Sequence, residues 1–135
     1  MNYLFDTNHA IAYLNGDHRL TPYLSAAQRA GSLFSVSTTV LGELYYGAYA
    51  SQRAADNLIK LATFASHLVV FPFDEAAAVE FGKICAEQRS KGKPIPTADA
   101  QIAAVARLHD LVVLTNDAHF YVIDALKVEN WLLSS

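Results

Sequence analysis

Short apolar segments alternate with longer segments of helical pattern along the chain. A short apolar run without polar alternation is typical of a strand that is buried on both faces. Such strands, when helices connect them, form a parallel sheet covered on both sides. The pattern therefore predicts an α/β fold, a three-layer α/β/α sandwich around a central parallel sheet of four or five strands. The strand candidates are Tyr3–Phe5, Leu33–Ser37, Leu68–Phe71, Leu111–Leu114 and Leu126–Glu129.

Glycines and capping residues mark the ends of the predicted helices. Gly16 and Gly31 are placed to end the first two helices, and Pro22 suits a first helical turn. The N-cap candidates are Thr38 or Thr39, Asp74 and Thr97. The predicted helices are Thr7–Asn15, Leu20–Ala30, Thr38 or Thr39 to Ala50, Arg53–Ser66, Glu75–Ser90 and Thr97 to Leu108 or His109. Because neither a repeat nor a linker is visible, the 135 residues are expected to form one domain, 1–135.

Composition argues against a membrane protein and against a disulfide-stabilised one. Although 53% of the residues are hydrophobic, no apolar run approaches the ~20 residues that span a bilayer. The first residues lack the basic end and long apolar stretch of a secretory signal. The single cysteine, Cys85, excludes an internal disulfide and is expected to be a small buried side chain in a helix. These features predict a cytoplasmic protein without a membrane partner.

The formal net charge of −3 restricts how the chain can bind nucleic acid. Proteins that bind nucleic acid by electrostatics usually present a basic patch. The nearest equivalent is the group Arg89, Lys91 and Lys93. If the substrate is RNA, bound cations must therefore offset the negative charge of the protein.

Three acidic residues fall at one edge of the predicted sheet. Asp6 directly follows the first strand, and Asp117 lies just beyond the strand that ends at Leu114. Glu43 lies in the first turns of the helix after the second strand. In open parallel sheets, ligands bind beyond the carboxyl ends of the strands. We therefore expect these three acids to lie near a ligand site.

The periodicity of its helix predicts that Asp99 lies in the same region. At about 100° per residue, Asp99 shares a helix face with Ile102, Ala103 and Ala106. These apolar residues form the stripe that packs on the sheet, so Asp99 continues a buried face at the start of its helix. An unpaired buried carboxylate is unfavourable, and a cation is the simplest compensation.

Each acid taken alone also has an ordinary structural interpretation. Asp6 could cap the following helix, and Asp99 could interact with its helix dipole. Asp117 could be a turn residue, and Glu43 could lie on the hydrated face of its helix. Their convergence favours a site, because carboxylates at one edge repel one another unless cations lie between them. Mg²⁺ takes oxygen ligands and suits a sparse set of Asp and Glu.

Four segments, in order, resemble those of the PIN-domain ribonucleases, and most closely the VapC-type toxins of toxin–antitoxin pairs. They cover essentially the whole chain. The first, 3–8, is similar to the opening strand of the family, and 35–47 is similar to the segment that carries its Glu. Residues 96–104 match the stretch with the third acid, and 114–120 the closing motif with the fourth.

The resemblance implies a PIN-like α/β/α fold and endonucleolytic cleavage of structured RNA (tRNA, rRNA or mRNA). It implies dependence on Mg²⁺ or Mn²⁺, a homodimer, and neutralisation by a small antitoxin in a hetero-oligomer. The catalytic residues that it implies are Asp6, Glu43, Asp99 and Asp117, with Asn116 as an alternative to the last. The hypothesis is that Asp6, Asp99 and Asp117 hold the metal while Glu43 orients the network or the attacking water.

The sequence fits other functions less well. An aspartyl phosphatase needs a second Asp two residues after the nucleophile, where this chain has Asn8. A phosphate-binding loop is not predicted, because Gly42 and Gly47 have its glycine spacing but lie in a helical segment without the required Lys. A non-catalytic RNA- or protein-binding module on the same fold remains the alternative. Zinc is disfavoured by the ligand spacing, and surface or capping roles are expected for His9 and His119.

Overall fold

A computed structural model describes residues 1–133. Its strands are β1 (Tyr3–Phe5), β2 (Phe34–Ser37), β3 (Val69–Phe71), β4 (Val112–Leu114) and β5 (Lys127–Glu129). Its helices are α1 (Thr7–Leu14), α2 (Thr21–Arg29), α3 (Thr38–Ala50), α4 (Ala54–Ser66), α5 (Glu75–Ser90) and α6 (Thr97–His109). Two 3₁₀ turns, His18–Leu20 and Ala118–Val122, precede α2 and β5.

The strands form one parallel sheet in the order β3-β2-β1-β4-β5. Tyr3 lies opposite Phe34 on one side and Val112 on the other. Helices flank this sheet, which confirms the predicted α/β architecture with five strands. Because all strands run in the same direction, their carboxyl ends meet at one edge, here called the rim.

The centre of the core lies along β1, β4 and α6. Every residue of β1 and β4 is buried, as is the α6 segment 102–106. The edge strand β3 is more open, with Val69 and Val70 about 40% exposed. β1 and β4 each have a neighbouring strand on both sides. This central position explains why the segments 3–5 and 111–114 are apolar throughout and predict strands most clearly.

The helix starts differ from prediction at three places. Ser37, not Thr38 or Thr39, caps α3 by accepting a hydrogen bond from the Val40 amide at 3.2 Å. The Thr38 hydroxyl instead accepts from the Phe73 amide at 3.1 Å. Pro96 precedes α6, whose first turn has no side-chain cap. Residue 20 belongs to the 3₁₀ turn, so α2 begins one residue later than predicted.

Other sequence predictions are confirmed or corrected by single contacts. Asp74 caps α5 as predicted, accepting from the Ala77 amide at 3.0 Å. Cys85 is only partly buried against the core, not enclosed by it. Asp110 adopts a left-handed conformation (φ 55°) and ends α6 two residues before β4 begins. Within residues 1–133, no helix combines the length and apolar character needed to cross a membrane.

An ion-pair cluster connects α5 with α6. The Arg107 guanidinium contacts Glu80 and Glu87, with Nη1 2.9 Å from a Glu87 oxygen. It also donates to the carbonyl of Asp124. Lys91 pairs with the Asp124 carboxylate at 2.8 Å. These contacts hold the last turn of α6, whereas its first turn, with Asp99, lies at the rim.

Candidate active site

Asp6 is the most buried acid of the rim, with 7% of its surface exposed. One carboxylate oxygen accepts from the Thr7 amide at 2.7 Å, and the other from the Thr115 hydroxyl at 2.7 Å. Thr115 directly follows β4, the sheet neighbour of β1, so strand pairing sets this contact. Asp6 is therefore both the cap of α1 and a member of the rim, and the two interpretations are compatible.

The pKa of Asp6 is raised above its ordinary value. Burial is the main cause, and the negative charges of Asp99 and Asp117 add to it. The hydrogen bonds from Thr115 and Thr7 act in the opposite direction but do not cancel these effects. Asp6 thus carries a carboxylate whose charge the protein alone does not fully compensate.

Asp99 and Asp117 converge on the ring of His119. The Nδ1 atom of His119 lies 3.0 Å from an oxygen of Asp99 and 3.0 Å from an oxygen of Asp117. Asp117 accepts from the His119 amide at 2.9 Å, and its own amide donates to Thr115 at 3.0 Å. One ligand atom from each of Asp99, Asp117 and His119 lies within 4.8 Å of the others, close enough to hold one metal ion.

The pKa of Asp99 is also raised, first by burial and then by the charge of Asp117, while His119 opposes the shift. Glu43, on α3, is exposed as a residue, yet its pKa is raised by the desolvation of its carboxyl. The charges of Asp6 and Asp99 raise it further. Since Asp6, Glu43 and Asp99 each respond to the charge of another rim acid, and Asp117 acts on Asp6 and Asp99, the fold brings all four predicted acids into one electrostatic cluster.

A buried hydroxyl lies beside this cluster without a satisfied hydrogen bond. Thr7 Oγ1 favours the charged form of Glu43, so the two groups are close. However, it has no hydrogen-bond partner of acceptable geometry within residues 1–133. Buried polar atoms are normally paired, so an unpaired one at the rim is consistent with a ligand or bound water there. Together with three acids of raised pKa, this donor set fits a divalent cation with oxygen ligands.

Asn116, the sequence alternative to Asp117, points elsewhere. It is exposed, and its side-chain oxygen accepts a hydrogen bond from the side-chain Nδ2 of Asn8 at 3.4 Å. Asp117 instead has its carboxylate within the cluster. The geometry therefore favours Asp117 as the fourth acid, and its catalytic role stays a prediction.

Of the two histidines near the rim, His9 departs from the surface or capping role expected of it, whereas the ring of His119 is about half exposed. His9 is fully buried and accepts from the Trp131 amide at 3.0 Å through Nε2. Burial, with a smaller effect of Arg19, lowers the pKa of His9 to about 4, so it is a neutral core residue. His119, about half exposed, joins the acidic cluster. Its position two residues after Asp117 was the sequence signal for this contact.

The family model of the PIN domain matches residues 3–126 of this chain. The chain belongs to the PIN-domain family. The VapC group within it contains close relatives. Ribonuclease VapC2 of Haemophilus influenzae is 33% identical over 133 residues, covering 98% of this chain and 99% of the relative. The tRNA(fMet)-specific endonuclease VapC of Shigella flexneri is 37% identical over 97 residues, covering 71% and 74%.

A solved structure supports the same assignment. The VapBC2 complex of Rickettsia felis, bound to a DNA fragment from its promoter, contains a chain with a TM-score of 0.88 to this one. Sequence identity is 29%, and the match covers 97% of this chain and 99% of the other. The resemblance inferred from four sequence segments is therefore confirmed: the chain is of the VapC ribonuclease toxin type.

Proposed function

We propose that this chain is a divalent-metal-dependent endoribonuclease and the toxin of a toxin–antitoxin pair. The observation that supports it most is the rim cluster, in which burial and the charges of neighbouring rim acids raise the pKa of Asp6, Glu43 and Asp99. Within residues 1–133, none of these four forms an ion pair with lysine or arginine. Such a cluster holds negative charge that a Mg²⁺ or Mn²⁺ ion would neutralise.

Asp99 and Asp117 would hold the ion, and Asp6 would face it with oxygens already oriented by Thr7 and Thr115. When bound, the ion supplies electrostatic stabilisation for the attacking water and the leaving oxygen of a phosphodiester. Glu43 has a raised pKa and an exposed position at the rim, which suit it to accept a proton from that water. This division of roles differs from the sequence hypothesis, in which Asp6 also holds the metal and Glu43 orients the network or the attacking water.

The proposed substrate is structured RNA. The basic group predicted from sequence is only partly free, because Lys91 pairs with Asp124 and donates to the Val122 carbonyl. Arg89 and Lys93 are exposed and remain available for phosphate contacts. A weak basic surface makes binding depend on the ions at the rim, so RNA affinity should fall when metal is removed. Acting on cellular RNA, the protein would work in the cytoplasm.

The test is cleavage of total cellular RNA by the purified, antitoxin-free protein with Mg²⁺ or Mn²⁺, with and without EDTA. Discrete EDTA-sensitive fragments are expected from the wild type and none from Asp99→Asn. Asp56→Asn is the matched control, since Asp56 is an exposed acid in the first turn of α4, and it should cut like the wild type. RNA binding without cleavage would instead indicate the non-catalytic module, and equal cutting by Asp99→Asn would refute the site.

An apolar groove beside Glu43 supports an antitoxin partner. It has a volume of about 300 Å³ between α1, α3 and α4, with Ile11, Leu14, Leu44 and Leu61 among its lining residues. VapBC complexes are among the structures that this chain resembles. We propose that apolar side chains of a cognate antitoxin fill the groove and cover the rim, in a hetero-oligomer built on a toxin homodimer.

Ile11 is 42% exposed, so a charged replacement there should be compatible with folding. Ile11→Glu is expected to keep nuclease activity and to resist inhibition by the co-expressed antitoxin. Unchanged inhibition would place the antitoxin on another surface. Sedimentation of the toxin alone tests the homodimer separately.

A further inference from the structure

His119 occupies a position that the four-acid hypothesis did not include. Its Nδ1 lies 3.0 Å from both the Asp99 and the Asp117 carboxylates, whereas Asp6 is not part of this closely spaced group. Both oxygens of Asp6 already accept short hydrogen bonds from protein groups. The atoms best placed to surround one ion are therefore two carboxylate oxygens and one imidazole nitrogen.

The position of His119 is set by the backbone. Its amide donates to Asp117 at 2.9 Å, and the next residue, Phe120, is fully buried in the core. The 3₁₀ turn that carries the ring is thus fixed on both sides of His119. The ring itself is about half exposed, so it is held at the rim without being enclosed there.

We propose that His119 is a ligand of the rim metal ion and that its nitrogen makes the site prefer Mn²⁺ to Mg²⁺. This inference rests on the proposed function, since it concerns the ion of that same site. Mg²⁺ is bound almost entirely by oxygen, and it loses its water reluctantly. Imidazole suits first-row transition metals such as Fe, Ni, Cu and Zn, and Mn²⁺ belongs to the weak end of that series, whereas Mg²⁺ lies outside it. Two carboxylates and one imidazole therefore favour Mn²⁺.

The first experiment is pulsed EPR of Mn²⁺ bound to the metal-free, full-length protein. A nitrogen hyperfine coupling to Mn²⁺ is expected in the wild type and in His67→Gln, a matched control at an exposed histidine on the C-cap of α4. The coupling should be lost in His119→Gln. Bound Mn²⁺ without nitrogen coupling in the wild type would overturn the proposal and leave His119 as a hydrogen-bond partner of the two acids.

The second experiment is calorimetric titration of both ions into the same variants. His119→Gln should weaken Mn²⁺ binding by about 10- to 100-fold while Mg²⁺ affinity changes much less, so the preference is lost. Equal weakening of both ions would also overturn the proposal. Asp99→Asn should weaken both ions. If the wild type binds neither ion, the metal dependence of the proposed function fails as well, which separates that outcome from failure of the His119 assignment alone.

Discussion

Acidic side chains at the rim and acidic side chains between α5 and α6 have opposite surroundings. Glu87 lies 2.9 Å from the Arg107 guanidinium, which lowers the pKa of the Glu87 carboxyl. At the rim, burial and neighbouring negative charges raise the pKa of Asp6, Glu43 and Asp99. The same residue types are thus stabilised as anions in one region and destabilised as anions in the other.

The two regions differ in whether the protein itself neutralises its acidic side chains. The Arg107 cluster joins two helices and leaves little charge unbalanced. The rim has no such cation among residues 1–133, and only His119 approaches its acids. A cluster that opposes its own ionisation costs stability, and ligand binding can recover that stability. The rim is therefore the region where we expect an external cation to bind.

The largest expected effect is on catalysis by Glu43→Gln. Loss of a proton acceptor should lower kcat by about 10²- to 10⁴-fold. Affinity for Mn²⁺ should change little, because Glu43 lies outside the group of three closely spaced ligand atoms. Single-turnover cleavage and calorimetry on one preparation measure the two quantities. Glu75→Gln, an exposed acid in the first turn of α5, is the control. A large parallel loss of metal affinity would make Glu43 a ligand instead.

The next effect is stabilisation of the fold by the ion. At a concentration of 100 times the dissociation constant, a ligand adds about 2.7 kcal/mol to the free energy of unfolding. Mn²⁺ should therefore raise the Tm of the wild type in a concentration-dependent manner, and calorimetric scans would measure it. Asp117→Asn should remove most of this shift. A Tm that does not respond to Mn²⁺ or Mg²⁺ would contradict the comparison between the two regions.

Disrupting the Arg107 cluster should lower the stability of the fold without changing metal binding at the rim. Arg107→Met removes the partner of Glu80 and Glu87, whose hydrogen bonds to a charged group contribute roughly 1.5–3 kcal/mol each before solvent screening. We expect a loss of about 1–3 kcal/mol in urea unfolding, with the Mn²⁺-dependent rise in Tm preserved. If Arg107→Met instead abolished metal binding while the protein stayed folded, the two regions would not be separate.

The sequence was sufficient for the fold because the signals were local and strong. The segments 3–5 and 111–114 are apolar throughout, and they became the fully buried centre of the sheet. Asp6 and Asp99 were placed correctly in one cluster because strand ends and helix periodicity determine their positions.

The missed features depend on contacts between distant residues. His119 meets Asp99 across 20 positions of sequence, and only the folded 3₁₀ turn sets the distance. The local sequence made Thr38 a plausible cap, but its hydroxyl instead accepts a hydrogen bond from the amide of Phe73, 35 residues away. His9 resembled a surface residue because its partner, Trp131, is 122 residues distant. In each case a tertiary contact replaced the local preference.

The smallest effect, and the most direct comparison of charged groups, is the titration of individual carboxyls in the metal-free protein. The Arg19 guanidinium lowers the pKa of the partly exposed Asp17 to about 2, whereas burial raises the pKa of Asp99 above its ordinary value of 3.8. Carbon-detected NMR from pH 2 to 7 should therefore show Asp99 protonating first as the pH falls. Titration of Asp99 at or below 3.8 would contradict the electrostatic contrast.

The signs of the two stability contributions are opposite. Asp17 stabilises the fold fully above its unfolded pKa, and this contribution is lost as the pH falls through about 2. Asp99 favours folding when protonated, so its contribution is present below its unfolded pKa and is lost as the pH rises through the raised folded value. Asp99→Asn should therefore flatten the pH dependence of unfolding above pH 4, whereas Asp17→Asn should flatten it below. Mn²⁺ should reverse only the Asp99 effect, because binding an ion replaces the proton as the partner of that carboxylate.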